Sequence, residues 1–272
     1  MRSSKFYKTA ETIQNWISAF PPNPFSFVRA VRGFPSVFRD YLKIKNQNKK
    51  AGNPFSIRFS NPQLRDRFES GGTAKGAYFH QDLLVARRIF ERRPLRHIDV
   101  GSRVDGFVAH VAAFRRIEVL DIRPVPQKIH NIDFVQCDVM NPNREFIECA
   151  DSVSCLHALE HFGLGRYGDP VDLHGYVKGV LSLTAMLKPG GVLYLSVPIC
   201  GNECVAFNAH RIFNPETILD LASKAFDLIS FSYVDDKGEL FENVKTTPEN
   251  IASGFGCRYG CGIFEFRKVQ KR

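Results

Sequence analysis

From Tyr78 to the C-terminus, short apolar runs alternate with longer segments whose apolar residues recur at helical spacing. Leu84, Val85, Ile89 and Phe90 lie on one face of a helix expected over 81–93 and stopped at Pro94. Strands are expected over 97–100, 117–120, 132–136, 152–156, 192–197, 226–234 and 263–269. Further helices are expected over 107–114, 171–187 and 215–224, with Lys188-Pro189-Gly190-Gly191 as the turn into the fifth strand. Alternation of this kind predicts an α/β fold: a doubly wound, Rossmann-like, mostly parallel seven-stranded sheet with helices on both faces.

The first 75 residues read differently, as a basic, mainly helical N-terminal segment beside a domain over 76–272. An amphipathic helix is expected over 9–20, carrying Ile13, Trp16, Ile17 and Phe20 and ended by Pro21-Pro22-Asn23-Pro24. More helix is expected from Phe27 to Leu42, interrupted at Gly33 and Pro35, and the polar stretch 45–53 reads as a linker. The net charge of +9 is concentrated here: residues 1–50 hold ten Lys/Arg against Glu11 and Asp40. A solvated basic face is the plainer meaning, and peripheral contact with an anionic membrane surface is the more specific one. No run approaches the ~18 apolar residues of a membrane span, and no signal-peptide pattern opens the chain, so a cytoplasmic or membrane-peripheral location is the expectation.

In doubly wound sheets, ligands sit beyond the carboxyl ends of the strands. The first strand runs into Asp99-Val100-Gly101-Ser102-Arg103-Val104-Asp105-Gly106, where Gly101 lets backbone approach a ligand closely. Arg103 and Asp105 stand where a G-x-G-x-x-G loop would have glycines, which argues against a dinucleotide. Asp121 ends the second strand, placed to take both hydroxyls of a ribose or to pair with Arg123; the glycine turn favours the ribose. Asp138, after Cys137, either receives an exocyclic amine or caps the segment near Asn141.

The fourth strand leads into Leu156-His157-Ala158-Leu159-Glu160-His161-Phe162-Gly163. Two histidines around an acid at a strand end are candidates for orienting an acceptor and taking its proton. The letters also spell an inverted zinc motif, but Gly163 and Gly165 end any helix here and no third ligand is evident. The pairs Cys200/Cys204 and Cys257/Cys261 are spaced C-x3-C, looser than a zinc knuckle; free thiols are the expectation and no metal is assigned.

Taken in order, these pieces resemble a class I S-adenosylmethionine (SAM)-dependent methyltransferase over about 97–235. Asp99-Val100-Gly101-Ser102 resembles its first motif, Asp121 its ribose acid, Asp138 its adenine-side acid, and 187–193 its turn into strand five. More narrowly, Tyr78-Phe79-His80-Gln81-Asp82, the stretches 99–107 and 162–170, Phe207-Asn208-Ala209-His210-Arg211 and Tyr259-Gly260-Cys261-Gly262 are similar to domain-of-unknown-function family 268. The resemblance implies a SAM site formed by Asp99, Gly101, Ser102, Arg103, Asp121, Ile122, Cys137, Asp138, Leu156 and His157. It also implies an acceptor side formed by His157, Glu160, His161, Tyr167 and His210, with His80 and Asp82 arriving from the preceding helix. His161 or His157 is the expected base.

Two functions follow as expectations. One is methyl transfer to a small-molecule or glycan-type acceptor, the narrower resemblance implying a link to surface-glycan synthesis. The other is a catalytically degenerate SAM- or nucleotide-binding scaffold that interacts through its basic N-terminal segment. Nucleic acid is disfavoured despite a pI near 9.3, because no aromatic-basic stacking platform is evident.

Overall fold

In the computed structural model, which describes residue 16 and residues 18–20 and 23–270, the chain divides between Thr73 and Ala74 into two compact units. Most of the helix expected over 9–20 lies outside the described residues.

Within the first unit, helix α1 (Pro24–Lys50) is capped by Asn23, whose side chain accepts from the backbone N–H groups of Phe25 and Ser26. The expected break at Gly33 and Pro35 is absent, and the expected linker from Lys45 is helical as far as Lys50. Gly33 is required by packing rather than by a bend: a Cβ there would lie 1.7 Å from the Leu64 carbonyl oxygen. Ala30 and Leu64 are buried at the same contact, with Phe34 and Val37 packed beside them. Pro35 removes one backbone donor on the solvent side, where water can satisfy the freed carbonyl.

In the second unit the sheet order is β3-β2-β1-β4-β5-β10-β8-β9. The strands are β1 (His97–Val100), β2 (Ile117–Asp121), β3 (Ile132–Gln136), β4 (Ala150–Leu156), β5 (Leu187–Ile199), β8 (Phe226–Val234), β9 (Leu240–Phe241) and β10 (Gly260–Lys268). Strands β1 to β5 pair in parallel, whereas β10 runs antiparallel between β5 and β8. The sheet thus has eight strands instead of seven, the extra one being the two-residue edge β9 paired to Tyr233 and Val234. A separate hairpin joins β6 (Cys204–Ala206) to β7 (His210–Ile212), a pairing that three-residue segments do not announce in sequence.

Side-chain alternation along the strands divides the core between the two sheet faces. Leu193, Leu195 and Val197 of β5 face one side, where α4 (Gly175–Met186) and α5 (Pro215–Ala222) contribute Leu183, Met186 and Ile218. Val192 and Tyr194 face the other, against Val85 and Ile89 of α2 (Ala77–Arg92). Helix α4 starts at Gly175, four residues later than expected, and 171–174 are loop. The helix expected over 107–114 is a wide π turn over Val104–Val108 followed by the short α3 (Ala109–Ala112). Gly106 breaks this turn with φ −121° and ψ −116°.

The order of strands reverses between β1 and β4, and such a switch point opens a crevice at the carboxyl end of the sheet.

Candidate active site

A cavity of about 680 Å3 fills that crevice, within the size range of small-molecule sites. Successive strand ends contribute to it: Gly101, Ser102 and Arg103 after β1, Asp121 and Ile122 after β2, Cys137 and Asp138 after β3, and Leu156 and His157 after β4. Glu160, His161, Tyr167 and His210 line the same cavity. Of the residues expected here, Asp99 and His80 are not in its lining, while Asp82 is.

Asp99 lies beneath the turn and builds it. Its carboxylate accepts from the Ser102 backbone N–H (3.1 Å), the Ser102 hydroxyl (2.8 Å) and the Ser154 hydroxyl (2.6 Å). Complete burial nevertheless pushes its pKa up to about 7. Gly101 follows with φ +74°, and a Cβ there would meet the Ala158 Cβ at 2.8 Å, so only glycine keeps this wall thin. Arg103 and Asp105 pair with each other at 2.7 Å in solvent at the mouth.

At the end of β2, Asp121 is engaged by Arg123. The guanidinium donates to both carboxylate oxygens, at 3.0 and 2.6 Å, and stacks 4.4 Å over the Tyr167 ring. The Asp121–Arg123 ion pair is therefore present, and Asp121 also lines the cavity. Asp138 accepts from the Met140 backbone N–H and the Asn141 side chain, as a local cap would, and lines the cavity as well. Burial pushes the neighbouring Cys137 thiol up to about 11, which removes it as a nucleophile at neutral pH.

His157 has φ +49°, a conformation held by its surroundings. Its backbone N–H donates to the Ser196 carbonyl and lies 3.1 Å from the Ser196 hydroxyl. That hydroxyl donates in turn to Gln81 Oε1 at 2.6 Å, and Gln81 Nε2 donates to Asp82. The imidazole Nδ1 lies 2.9 Å from Glu160 Oε1. Burial disfavours the charged ring, yet the Cys261 sulfur and the Glu160 carboxylate outweigh it and hold the His157 pKa well above the usual histidine range. The raised pKa favours His157 as a charged partner of Glu160, and its Nε2 is buried without a hydrogen-bond partner among the described residues.

His161 is the opposite case. Burial moves its pKa below the ordinary value despite Glu160 nearby. Its Nδ1 sits 2.7 Å from the Ala209 carbonyl oxygen, which fixes the proton on Nδ1 and leaves the Nε2 lone pair free. Nε2 lies 3.8 Å from Glu160 Oε1. Glu160 is almost fully buried, and its Oε2 has no hydrogen-bond partner among the described residues. Glu160 lines the cavity, and a buried carboxylate oxygen left without a donor is a costly arrangement that a ligand's donor would relieve.

Several contributors escaped the sequence reading. Arg211 is buried and donates to the carbonyl oxygens of Phe162 (2.6 Å) and Leu173 (3.1 Å), tying the loop after β4 to the loop before α4. Asp169 pins the same loop by accepting from the backbone N–H groups of Gly163, Gly165 and Tyr167. Tyr78 and Tyr259 contribute half-exposed rings to the cavity wall, beside His157 and His210 respectively. Gln81 and Arg211 stand in stretches that carry the family resemblance, but their roles and that of Ser196 depend on partners 38 or more residues away, among them the Ser196 hydroxyl on Gln81 and the Leu173 carbonyl on Arg211. Among the described residues, no group of three or more His, Cys, Asp or Glu is arranged to hold a metal ion.

A five-stranded parallel core, with an antiparallel strand inserted beside β5 and a cavity at the β1/β4 switch, defines a Rossmann-like fold of the class I methyltransferase type. In sequence, residues 115–250 match the model of the family described as Caenorhabditis protein of unknown function, DUF268, and the chain belongs to that family. Among solved structures, the 1,6-didemethyltoxoflavin-N1-methyltransferase of Burkholderia thailandensis, bound to 1,6-didemethyltoxoflavin and S-adenosylhomocysteine, is similar at a TM-score of 0.50. That match has 15% identity and covers 70% of this chain and 79% of the other. The N-methyltransferase NodS of Bradyrhizobium japonicum WM9, with S-adenosylhomocysteine, matches at 0.48 with 13% identity over 72% and 89% of the two chains. The [4+2]-cyclase SpnF matches at 0.49 with 16% identity over 87% and 96%. Identities this low bear on the fold alone. No curated protein matches the chain in sequence.

Proposed function

We propose that the protein is a SAM-dependent methyltransferase whose acceptor is a hydroxyl of a small molecule or glycan, with His161 as the base. The observation that carries this reading is the joint lining of one cavity by four consecutive strand ends and by the Glu160–His161 pair.

The residues present fit the cofactor. Gly101 leaves the backbone open to close approach, and Ile122 and Cys137 offer apolar cover for a flat ring. Asp121 retains acceptor capacity for ribose hydroxyls, since a carboxylate has about four lone-pair sites and Arg123 uses only some of them. The cofactor, once bound, supplies an electrophilic methyl group on a sulfonium. The protein's task is then to hold the acceptor oxygen in line and remove its proton. His161 accepts that proton at Nε2 while Nδ1–H remains on the Ala209 carbonyl, and the Glu160 carboxylate stabilises the imidazolium formed. Arg166, which donates to the same carbonyl at 2.7 Å, keeps that oxygen in place. Tyr78 and Tyr259 supply ring faces suited to a sugar or another small polar acceptor.

The hold of Arg123 on Asp121 favours a second reading, a binding protein that no longer uses the ribose acid. Calorimetry with SAM separates the two. Micromolar binding that Asp121→Ala abolishes is expected of the enzyme; no heat and no thermal shift would overturn it.

A further inference from the structure

We propose that α1 docks in the plane of an anionic phospholipid surface through an apolar stripe bordered by basic side chains. The observation is a half-exposed apolar stripe on that helix, in which Phe27 and Phe38 touch the rings of Phe20 and Phe59 at its edge while Val28, Val31 and Leu42 lie open. Phe27, Val28, Val31, Phe38 and Leu42 are each between 41% and 56% exposed. At 100° per residue these positions, with the exposed Pro35 between them, fall in one sector of the helix. The adjoining sector is the one that packs within the unit, where Ala30 and Gly33 are buried against Leu64 and Tyr41 and Phe34 meet Phe59.

Charge decides what covers the stripe. Helix α1 carries seven Lys/Arg and one acid, Asp40, and Asp40 is already paired with Arg67 at 2.9 Å. Arg32, Arg39 and Lys43 run along one border of the stripe, and Lys45 lies on the other. A second copy of the chain would bring the same positive borders together and be repelled. A surface of anionic headgroups over acyl chains satisfies both parts at once: apolar side chains enter the boundary and basic side chains meet the headgroups. Long Lys and Arg stems also let the charge rise while the aliphatic part lies against the apolar layer. Among the described residues no helix is long and apolar enough to cross a membrane, so α1 lies along the surface.

The test is co-sedimentation of the full chain with phosphatidylcholine vesicles, with and without phosphatidylserine. The chain is expected to pellet with the phosphatidylserine vesicles at low salt, to be released at high salt, and to remain soluble with phosphatidylcholine alone. Arg39→Glu with Lys43→Glu, both on exposed positions, lowers vesicle affinity about tenfold or more. Val31→Asp with Leu42→Asp abolishes pelleting at unchanged circular dichroism; should that variant misfold, the charge-reversed pair decides alone. Three results overturn the proposal: no binding to phosphatidylserine vesicles, binding indifferent to charge reversal, or a vesicle-free dimer that Val31→Asp with Leu42→Asp dissolves.

Discussion

Two histidines four residues apart, both beside Glu160, have their pKa values moved in opposite directions by their surroundings. Neighbours raise the His157 pKa, whereas burial lowers that of His161 against the opposing pull of Glu160 and the Ala209 carbonyl, which also holds the proton on Nδ1 and leaves Nε2 open. With His161 as base, the active form is the neutral one. Because its pKa is lowered, activity is present at neutral pH and falls only when pH drops below the ordinary histidine value of 6.5. A pH–rate profile with the acid limb above 6.5 would exclude His161. His161→Gln should lower kcat by about 10²–10⁴ while leaving SAM affinity unchanged, as measured by single-turnover kinetics and calorimetry. Arg123 presents a second residue-scale question, since ribose hydroxyls compete with its guanidinium for Asp121. Arg123→Gln is therefore expected to tighten SAM binding, by up to about fivefold for a pair whose guanidinium is solvent-accessible. Weaker binding in the variant would show instead that Arg123 supports the ligand.

At the scale of elements, β1 and β4 meet over a buried polar ladder. His97 lies 2.9 Å from the Ser152 hydroxyl and 3.2 Å from that of Ser154, which also donates to Asp99. Burial lowers the His97 pKa from 6.5 to about 3, so the unfolded chain takes up the proton first. Its contribution to stability is full above pH 6.5 and is lost as pH falls toward 3. Asp99 has the opposite sign. With a folded pKa raised from 3.8 to about 7, its contribution is full below 3.8 and lost as pH rises toward 7. Between pH 3.8 and 6.5 the two slopes oppose each other. Asp99→Asn should unmask the histidine, giving stability that climbs with pH across that window by about 1.4 kcal/mol per unit at most. Urea denaturation at several pH values measures this, and a flat profile in Asp99→Asn would refute it.

The strand-ladder elements were the most legible in sequence. The strands over 132–136 and 226–234 have the expected limits, because apolar runs between polar breaks leave little choice of boundary. Helix α1 was misread at Gly33 and Pro35, where local propensity argues for a break and packing on Leu64 overrides it. The π turn after Gly101 and the hairpin of β6 and β7 were not legible, since neither carries a periodic signal.

For the whole molecule, the division at Thr73/Ala74 has a direct consequence. Both large apolar clusters and every residue lining the cavity belong to the unit beginning at Ala74. A chain starting at Ala74 is therefore expected to unfold cooperatively and to bind SAM as the full chain does, while losing vesicle binding. Differential scanning calorimetry with and without SAM tests the first part. A truncated chain that is unfolded, or that is folded but blind to SAM, would tie the site to the N-terminal unit.

The sequence by itself determined the alternation of elements, the strand ends that carry polar residues, and the placing of the positive charge in the first 50 residues. These follow from periodicity and composition, which are local properties. Which polar residues face the cavity was decided only by the tertiary structure. Asp99 turned inward to hold the loop, Asp121 came to share its carboxylate with Arg123, whose guanidinium stacks on Tyr167, and two similar histidines acquired opposite pKa shifts. Burial, and partners distant in the chain, set those outcomes, and neither is written in the spacing of the residues themselves.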